Sequence, residues 1–170
     1  MTYSIPALSI TALTILLYAH DARSEPENPH LILNDQKSTA CLKCHLSEPQ
    51  AKNNYPLVSK NVAVTLSAYK LDGVAMCGAC HDPKEGHKVN LTIDFPVPAD
   101  MPLSENNDIN CLTCHYTHGP LNSEKPQASF SFMDRILNAE RLKKSYLLRR
   151  NNTDGELCLT CHNPNQGTQQ

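Results

Sequence analysis

The sequence predicts a chain that is mostly coil, with short α-helices and little β-structure, and with a centre filled by something other than packed side chains. The 170 residues include six tyrosines, three phenylalanines and no tryptophan. Hydrophobic residues make up 40%, below the roughly 45–50% of ordinary globular domains. Twelve prolines interrupt the chain, and all eight cysteines fall into one short repeated pattern. A conventional side-chain core is therefore marginal.

Length and charge exclude several protein classes. The chain is too short for a large enzyme barrel or a doubly wound sheet. Its formal net charge of −2 does not suit a polycationic nucleic-acid binder, so no nucleic-acid partner is expected.

The N-terminal segment is apolar over residues 5–19. This run is shorter than the about 20 residues that a membrane-spanning helix needs, and it is typical of an export signal. We expect a signal peptide over residues 1–24, cleaved after Ser24, although Met1–Ser4 lacks the usual basic residue. An uncleaved anchor or a buried helix is the alternative. The rest of the chain has no second long apolar run, so we expect a periplasmic or secreted protein without stable membrane insertion.

The cysteines form four copies of Cys-x-x-Cys-His. This pattern is the attachment signature of c-type haem. On one helical turn, positions i and i+3 share a face, so both thiols can bond one edge of a porphyrin while the histidine binds the iron. The pattern predicts four covalently attached haem c groups. The attachment cysteines are Cys41, Cys44, Cys77, Cys80, Cys111, Cys114, Cys158 and Cys161, and the proximal histidines are His45, His81, His115 and His162.

Three other uses of paired cysteines compete with haem attachment. Disulfides in an exported protein and zinc sites of four thiolates both leave the repeated histidine without a role. A thioredoxin-like redox motif expects a single pair in a βαβ context, which the sequence does not show. Four haems also explain the sparse core, because the macrocycles take its place. The haem-binding domain then covers residues 25–170, either undivided or as two dihaem lobes of about 25–105 and 106–170.

The second axial ligand of each iron decides between electron transfer and small-molecule chemistry. Outside the motifs the histidines are His20, His30, His87 and His118, and His20 leaves with the signal peptide. His118 follows His115 too closely to cross its own haem, so we expect it to reach a neighbouring one. His30, His87 and His118 are the candidate distal ligands, with a solvent-exposed or packing role as the alternative for each.

Three free histidines cannot serve four irons. The remaining sixth ligand is Met101, Met133, another group, water, or His20 if cleavage spares it. A methionine ligand raises the potential of its haem relative to bis-histidine neighbours. The unassigned axial position is therefore the main open question that the sequence raises.

Several short stretches resemble the doubled CXXCH-motif multihaem c-type cytochromes of the cytochrome c3-like superfamily. The resemblance covers about residues 77–164 and extends to residues 30–45. It implies an exported bacterial electron carrier, with His87 and His118 at distal-ligand positions. Two departures are the long link over residues 122–145 and the absence of an eighth histidine from the mature chain, which keeps seven once His20 is removed. The matching stretches are Gly86–Val89, Met101–Leu103, Asp108–Gly119, Leu147–Arg149 and Gly155–His162.

The long link has helical periodicity over residues 129–146, with Ser131 and Asp134 in capping-box spacing. We expect one amphipathic helix there. Basic residues crowd this helix and its exit, while the earlier part of the mature chain is acidic. The basic cluster is a solvated face, a partner for haem propionates, or a docking site for an acidic redox partner. Its members are Arg135, Arg141, Lys143, Lys144, Arg149 and Arg150.

The leading interpretation is an exported tetrahaem c-type cytochrome that relays electrons between respiratory redox partners through a chain of closely spaced haems, without catalysing a reaction. Its expected partners are other redox proteins, with copies of itself as a further candidate. Two alternatives are a small haem reductase that acts at the haem lacking a histidine sixth ligand, and a subunit of an extracellular cytochrome filament.

Overall fold

A computed structural model describes residues 28–31, 38–50, 60–84 and 88–162. The predicted signal peptide with its cleavage site after Ser24, and the candidate ligands His20 and His87, lie outside these ranges. In the described ranges no helix is long and apolar enough to span a bilayer.

Five short helices occur in the described residues, and four of them belong to the cysteine motifs. The segments between them meet through isolated β-bridges, and no strand forms in the described ranges. The predicted fold class, mostly coil with short helices and little β-structure, is confirmed. The helices are α1 (Ser38–Cys41), α2 (Gly73–Gly78), α3 (Cys111–Cys114), α4 (Phe132–Leu137) and α5 (Glu156–Leu159), with 3₁₀ turns at Leu66–Ala68 and Ala139–Lys143.

Side-chain caps explain where the helices of the second and third motifs begin. Asp72 accepts hydrogen bonds from the backbone amides of Val74 and Ala75 at 2.9 and 3.0 Å. Asn110 accepts one from the amide of Leu112 at 2.8 Å. Such caps satisfy amides that a short helix leaves without an internal partner. The cap at Asn110 therefore fixes the start of the turn that carries Cys111 and Cys114, and the cap at Asp72 fixes the start of the helix that leads into Cys77.

The histidines that end the first and third motifs each form an antiparallel β-bridge with the segment that precedes the following motif. His45 forms an antiparallel bridge with Tyr69, and His115 forms one with Leu148. Each bridge is framed by two backbone hydrogen bonds of 2.9 Å. In both cases the paired segment leads into the next motif, since residues 68–70 precede α2 and residues 147–149 precede α5. The residues that follow the first motif are thus hydrogen-bonded to those that precede the second. The residues that follow the third are bonded in the same way to those that precede the fourth.

The second motif reaches the third through two contacts. Residues 90–93 pair with residues 107–109 through three backbone hydrogen bonds of 2.8–3.0 Å. Gly73 in α2 packs against α3 so closely that an added Cβ would lie 2.9 Å from Oδ1 of Asn110. Contacts of this kind cross the boundary at residues 105 and 106, and the division into two lobes stays a prediction.

The side-chain core of the described residues is small. Its buried apolar members are Met101, Leu112, Leu147 and Leu157. Larger apolar side chains beside the motifs stay exposed, among them Leu46 after His45 and Leu159 in α5, at 62% and 49%. So few buried and so many exposed apolar side chains are expected of a chain that surrounds non-protein groups and does not pack on itself.

Arg149 is buried, with 2% of its surface exposed. Its Nε donates to the carbonyl of Leu112 at 2.8 Å and its Nη1 to that of Lys60 at 2.9 Å. Burial lowers the pKa of Arg149. The sequence placed this residue in the basic cluster, with a solvated face as one of three interpretations. A solvated face is wrong for Arg149, because its buried guanidinium ties α3 to the loop at residues 60–62.

The inserted segment is less helical than predicted. Ser131 caps α4, accepting from the amide of Asp134 at 3.1 Å as the spacing predicted. The helix ends after six residues, because Asn138 leaves the helical region with φ −127° and ψ 45°. The chain then continues as a 3₁₀ turn. The single helix expected over residues 129–146 is therefore wrong in its length.

Candidate functional site

The four motifs share one backbone geometry. In each, the amide of the histidine donates to the carbonyl of the first cysteine, closing a single α-helical turn. This turn places both thiols on one side and directs the histidine from the same short segment. The hydrogen bonds are His45 to Cys41 at 3.0 Å, His81 to Cys77 at 2.9 Å, His115 to Cys111 at 3.0 Å, and His162 to Cys158 at 2.8 Å.

The motifs meet through their thiols. The pKa of Cys77 is raised to about 12, mainly by burial and also by the neighbouring Cys111 and Cys44. Burial raises the pKa of Cys114 to about 11, with contributions from Cys161 and Cys158. These neighbours connect the second motif with the first and third, and the third with the fourth. Together with the bridges at His45 and His115 and the packing of α2 on α3, these neighbours place the four motifs in one series.

All eight cysteines are described and none forms a disulfide. In the described ranges no three histidine, cysteine or acidic side chains converge as a metal-binding group. The geometry of a four-thiolate metal site is thus not found in those ranges.

His118 lies beside the proximal histidine of another motif. Its ring centre is 6.3 Å from that of His45, with 25° between the ring planes. Burial lowers the pKa of His118, and the nearby His45 and His30 lower it further. The structure thus brings a histidine that follows the third motif to the histidine of the first.

His30 makes the corresponding approach to the second motif. Its ring centre lies 6.0 Å from that of His81, at an interplanar angle of 44°. Nδ1 of His30 is 2.8 Å from the carbonyl oxygen of Thr117. A backbone carbonyl at Nδ1 fixes the tautomer that leaves Nε2 available as a ligand.

One loop positions both of these histidines. Residues 116–119 carry His118, supply the Thr117 carbonyl to His30, and bind the His30 carbonyl through the amide of Gly119 at 3.2 Å. Gly119 has φ 149°, and an added Cβ would lie 2.6 Å from Cε2 of Tyr116. Only glycine fits this position without displacing the loop.

A backbone carbonyl contacts Nδ1 of the proximal histidine of the third motif. Nδ1 of His115 lies 2.7 Å from the carbonyl oxygen of Tyr146. Tyr146 and Leu147 both have left-handed backbone angles, with φ 51° and 49°. Such angles are uncommon for bulky residues and cost free energy. The backbone in this left-handed conformation orients the Tyr146 carbonyl toward His115.

Comparison with known proteins identifies the family. The model of the family described as cytochrome c7 and related cytochrome c matches residues 26–116. The chain belongs to this family of multihaem c-type cytochromes. No curated protein and no solved structure matches it significantly. Members of the family carry electrons and hold covalently bound haem c, so haem attachment and electron transfer are the established parts of the function.

The side chains of this cytochrome fit bound haem. Two imidazoles that share one metal ion have ring centres roughly 6 Å apart, since each metal–nitrogen bond is about 2 Å. The pairs His45 with His118 and His30 with His81 lie at 6.3 and 6.0 Å. The exposed apolar side chains beside the motifs supply the contact surface that a porphyrin needs.

The sequence did not reveal the residues that orient the histidines. Tyr69 packs on His45 with ring centres 4.6 Å apart, and burial raises its pKa. Thr117 and Tyr146 act through their backbone carbonyls, which any residue possesses. Sequence patterns carry no signal for such roles. Gly119 is the exception, since glycine is the residue type that most readily adopts positive φ, although its place after His118 was not interpreted from the sequence.

Proposed function

We propose that this cytochrome carries four haem c groups and relays electrons along them between redox partners outside the cytoplasm. Bound haem supplies reversible one-electron exchange at its iron. The chain supplies attachment, axial ligation and the spacing between neighbouring groups. The eight motif cysteines are the attachment points, and His45, His81, His115 and His162 are the proximal ligands.

The observation that carries this proposal is the continuous series of motifs. The first motif is bridged to the chain entering the second at His45 and Tyr69, and the third to the chain entering the fourth at His115 and Leu148. The second packs on the third where Gly73 meets Asn110. Groups attached at these motifs lie close together, because each motif is joined to the next along the chain by these contacts. A relay needs this closeness at each step, whereas an enzyme needs it at one site only.

The distal ligands are exchanged between motifs. His118 serves the iron bound by His45, and His30 serves the iron bound by His81, as their ring distances indicate. His87 lies outside the described residues. The chain just after it, at Asn90, is bound to Ile109 at the entrance of α3. We therefore assign His87 to the iron bound by His115.

Location and partners rest on the leader and on the family. The apolar segment over residues 5–19 is consistent with export, and proteins of this family are typically periplasmic. Respiratory donors and acceptors are the partner class. The reductase alternative keeps one argument, which is that a fourth distal histidine is missing from the mature chain.

An anaerobic spectroelectrochemical titration of the purified holoprotein tests the relay. We expect four electrons per chain, taken up and returned reversibly, and no steady consumption of nitrite or hydroxylamine by the reduced protein. Fewer than four electrons would refute the tetrahaem relay. Sustained turnover of either substrate would favour the reductase.

A further inference from the structure

The assignments above leave one proximal histidine without a distal histidine. His118, His30 and His87 are assigned to the irons of the first, second and third motifs. His162 of the fourth motif is the remaining one. This motif and the long link before it also lie outside the residues that the family model matches. The sixth ligand of the fourth haem is therefore expected near α5.

Of the two methionine candidates, Met101 is enclosed by protein. It is 0% exposed, in a core that includes Leu112 of α3. A thioether that contacts protein on every side has no face left for an iron. Met133, on α4, is 57% exposed and stays available.

The helix that carries Met133 has an apolar surface that no described residue covers. Met133, Ile136 and Leu137 occupy positions i, i+3 and i+4, which share one face of a helix. They are 57%, 59% and 68% exposed, and the adjacent Phe132 is 74% exposed. Apolar surface of this extent on so short a helix is a contact site for an apolar group.

The chain that enters α4 is fixed to the chain that enters the fourth motif. Ala128 forms a parallel bridge with Asn152, and the hydroxyl of Ser129 donates to the carbonyl of Thr153. Asn152 in turn accepts a hydrogen bond from the amide of Cys158 at 3.2 Å through its Oδ1. These contacts hold the start of α4 and the start of α5 in one unit.

We propose that α4 covers the haem attached at Cys158 and Cys161, and that Met133 is its sixth ligand opposite His162. This inference rests on the proposed tetrahaem function. It gives the long link a role, since the link supplies a thioether ligand and an apolar cover to the one iron that lacks a second histidine.

The test compares the wild-type holoprotein with three variants by NMR of the reduced state and by visible and EPR spectroscopy. We expect one methionine methyl resonance shifted strongly upfield by the haem in the wild type. Met133→Leu should remove it and turn a quarter of the haem into a high-spin form that binds carbon monoxide. Met133→His should restore low-spin haem at a lower potential. Met76→Leu, the matched control beside Cys77, should retain the signal.

A signal absent from the wild type, or retained in Met133→Leu, overturns the proposal. Haem content and the four-electron titration are measured on the same samples. If both hold while the methionine signal is missing, the ligand assignment fails and the tetrahaem function stands. If haem content falls short of four, the function itself fails.

Discussion

At the residue scale, a few side chains and one glycine set the relative positions of the motifs. Gly73 is the contact point between α2 and α3, and the capping side chain of Asn110 lies against it. Arg149 binds carbonyls from two segments that are distant in sequence. Neither role could be predicted from residue type, because a helical glycine need not mark a helix contact and most arginines lie on the surface.

Gly73→Ala should destabilise the protein by about 1–3 kcal/mol, since overpacking forces backbone or rotamer shifts. The new Cβ would lie 2.9 Å from Oδ1 of Asn110 and disturb the cap of α3. Gly78→Ala is the control, because its nearest neighbour would be 3.9 Å away. Thermal unfolding of the holoprotein, followed by far-UV circular dichroism, measures both. Equal midpoints for the two variants would contradict the packing at Gly73.

Arg149→Leu should lower the free energy of unfolding by on the order of 1–3 kcal/mol for each buried carbonyl left without a donor. Arg149→Lys should recover only part of this loss, because an ammonium cannot reproduce the spread of the guanidinium nitrogens. Denaturant unfolding of the holoprotein measures the difference. If Arg149→Leu unfolds like the wild type, the guanidinium does not tie α3 to residues 60–62.

At the element scale, the single turn of each motif was predictable and the connections were not. The spacing of two cysteines and a histidine specifies a turn by itself, and all four turns are found. The bridge between His45 and Tyr69 and the one between His115 and Leu148 depend on tertiary pairing that periodicity does not encode. The predicted helix over residues 129–146 failed for a related reason. The cap at Ser131 was predicted correctly, but the backbone turn at Asn138 ends the helix after six residues.

The loop over residues 116–119 leads to a prediction about two haems at once. Gly119→Ala should displace the loop, because the added methyl group would meet the Tyr116 ring at 2.6 Å. His118 and the carbonyl that holds His30 both belong to this loop, so low-spin EPR signals of two haems should change together. Gly78→Ala again serves as the control. A change in one haem alone, or in none, would refute the shared support.

At the scale of the whole molecule, the distribution of charge has a different meaning from the one the sequence suggested. Arg149 is internal, and Arg150 is paired with Asp100 at 2.8 Å. Arg141 is paired with Asp134 at 2.9 Å. Lys143 and Lys144 remain exposed, beside a shallow cleft of about 590 Å³ that also includes Glu124 and Glu140. The surface available for an acidic partner is smaller than the count of basic residues implied.

Replacing Lys143 and Lys144 with glutamine should slow reduction by an acidic redox partner severalfold at low ionic strength, and the effect should fade with added salt. Stopped-flow reduction at several salt concentrations measures it. Lys70→Gln with Lys84→Gln is the matched control, since it changes the net charge equally at other exposed positions. Identical rates and salt dependence for the two double variants would exclude docking at Lys143 and Lys144.

The described residues have a small core, exposed apolar side chains and four motif turns with the same geometry. These features indicate that covalently bound haem completes the fold. The most direct measurement is the intact mass of the purified holoprotein, combined with peptide mapping of the cysteines. We predict a mass increase of four haem groups and thioether linkage at all eight cysteines, ending with Cys158 and Cys161. Fewer than four groups, or any motif cysteine found as a free thiol or disulfide, would contradict the tetrahaem structure.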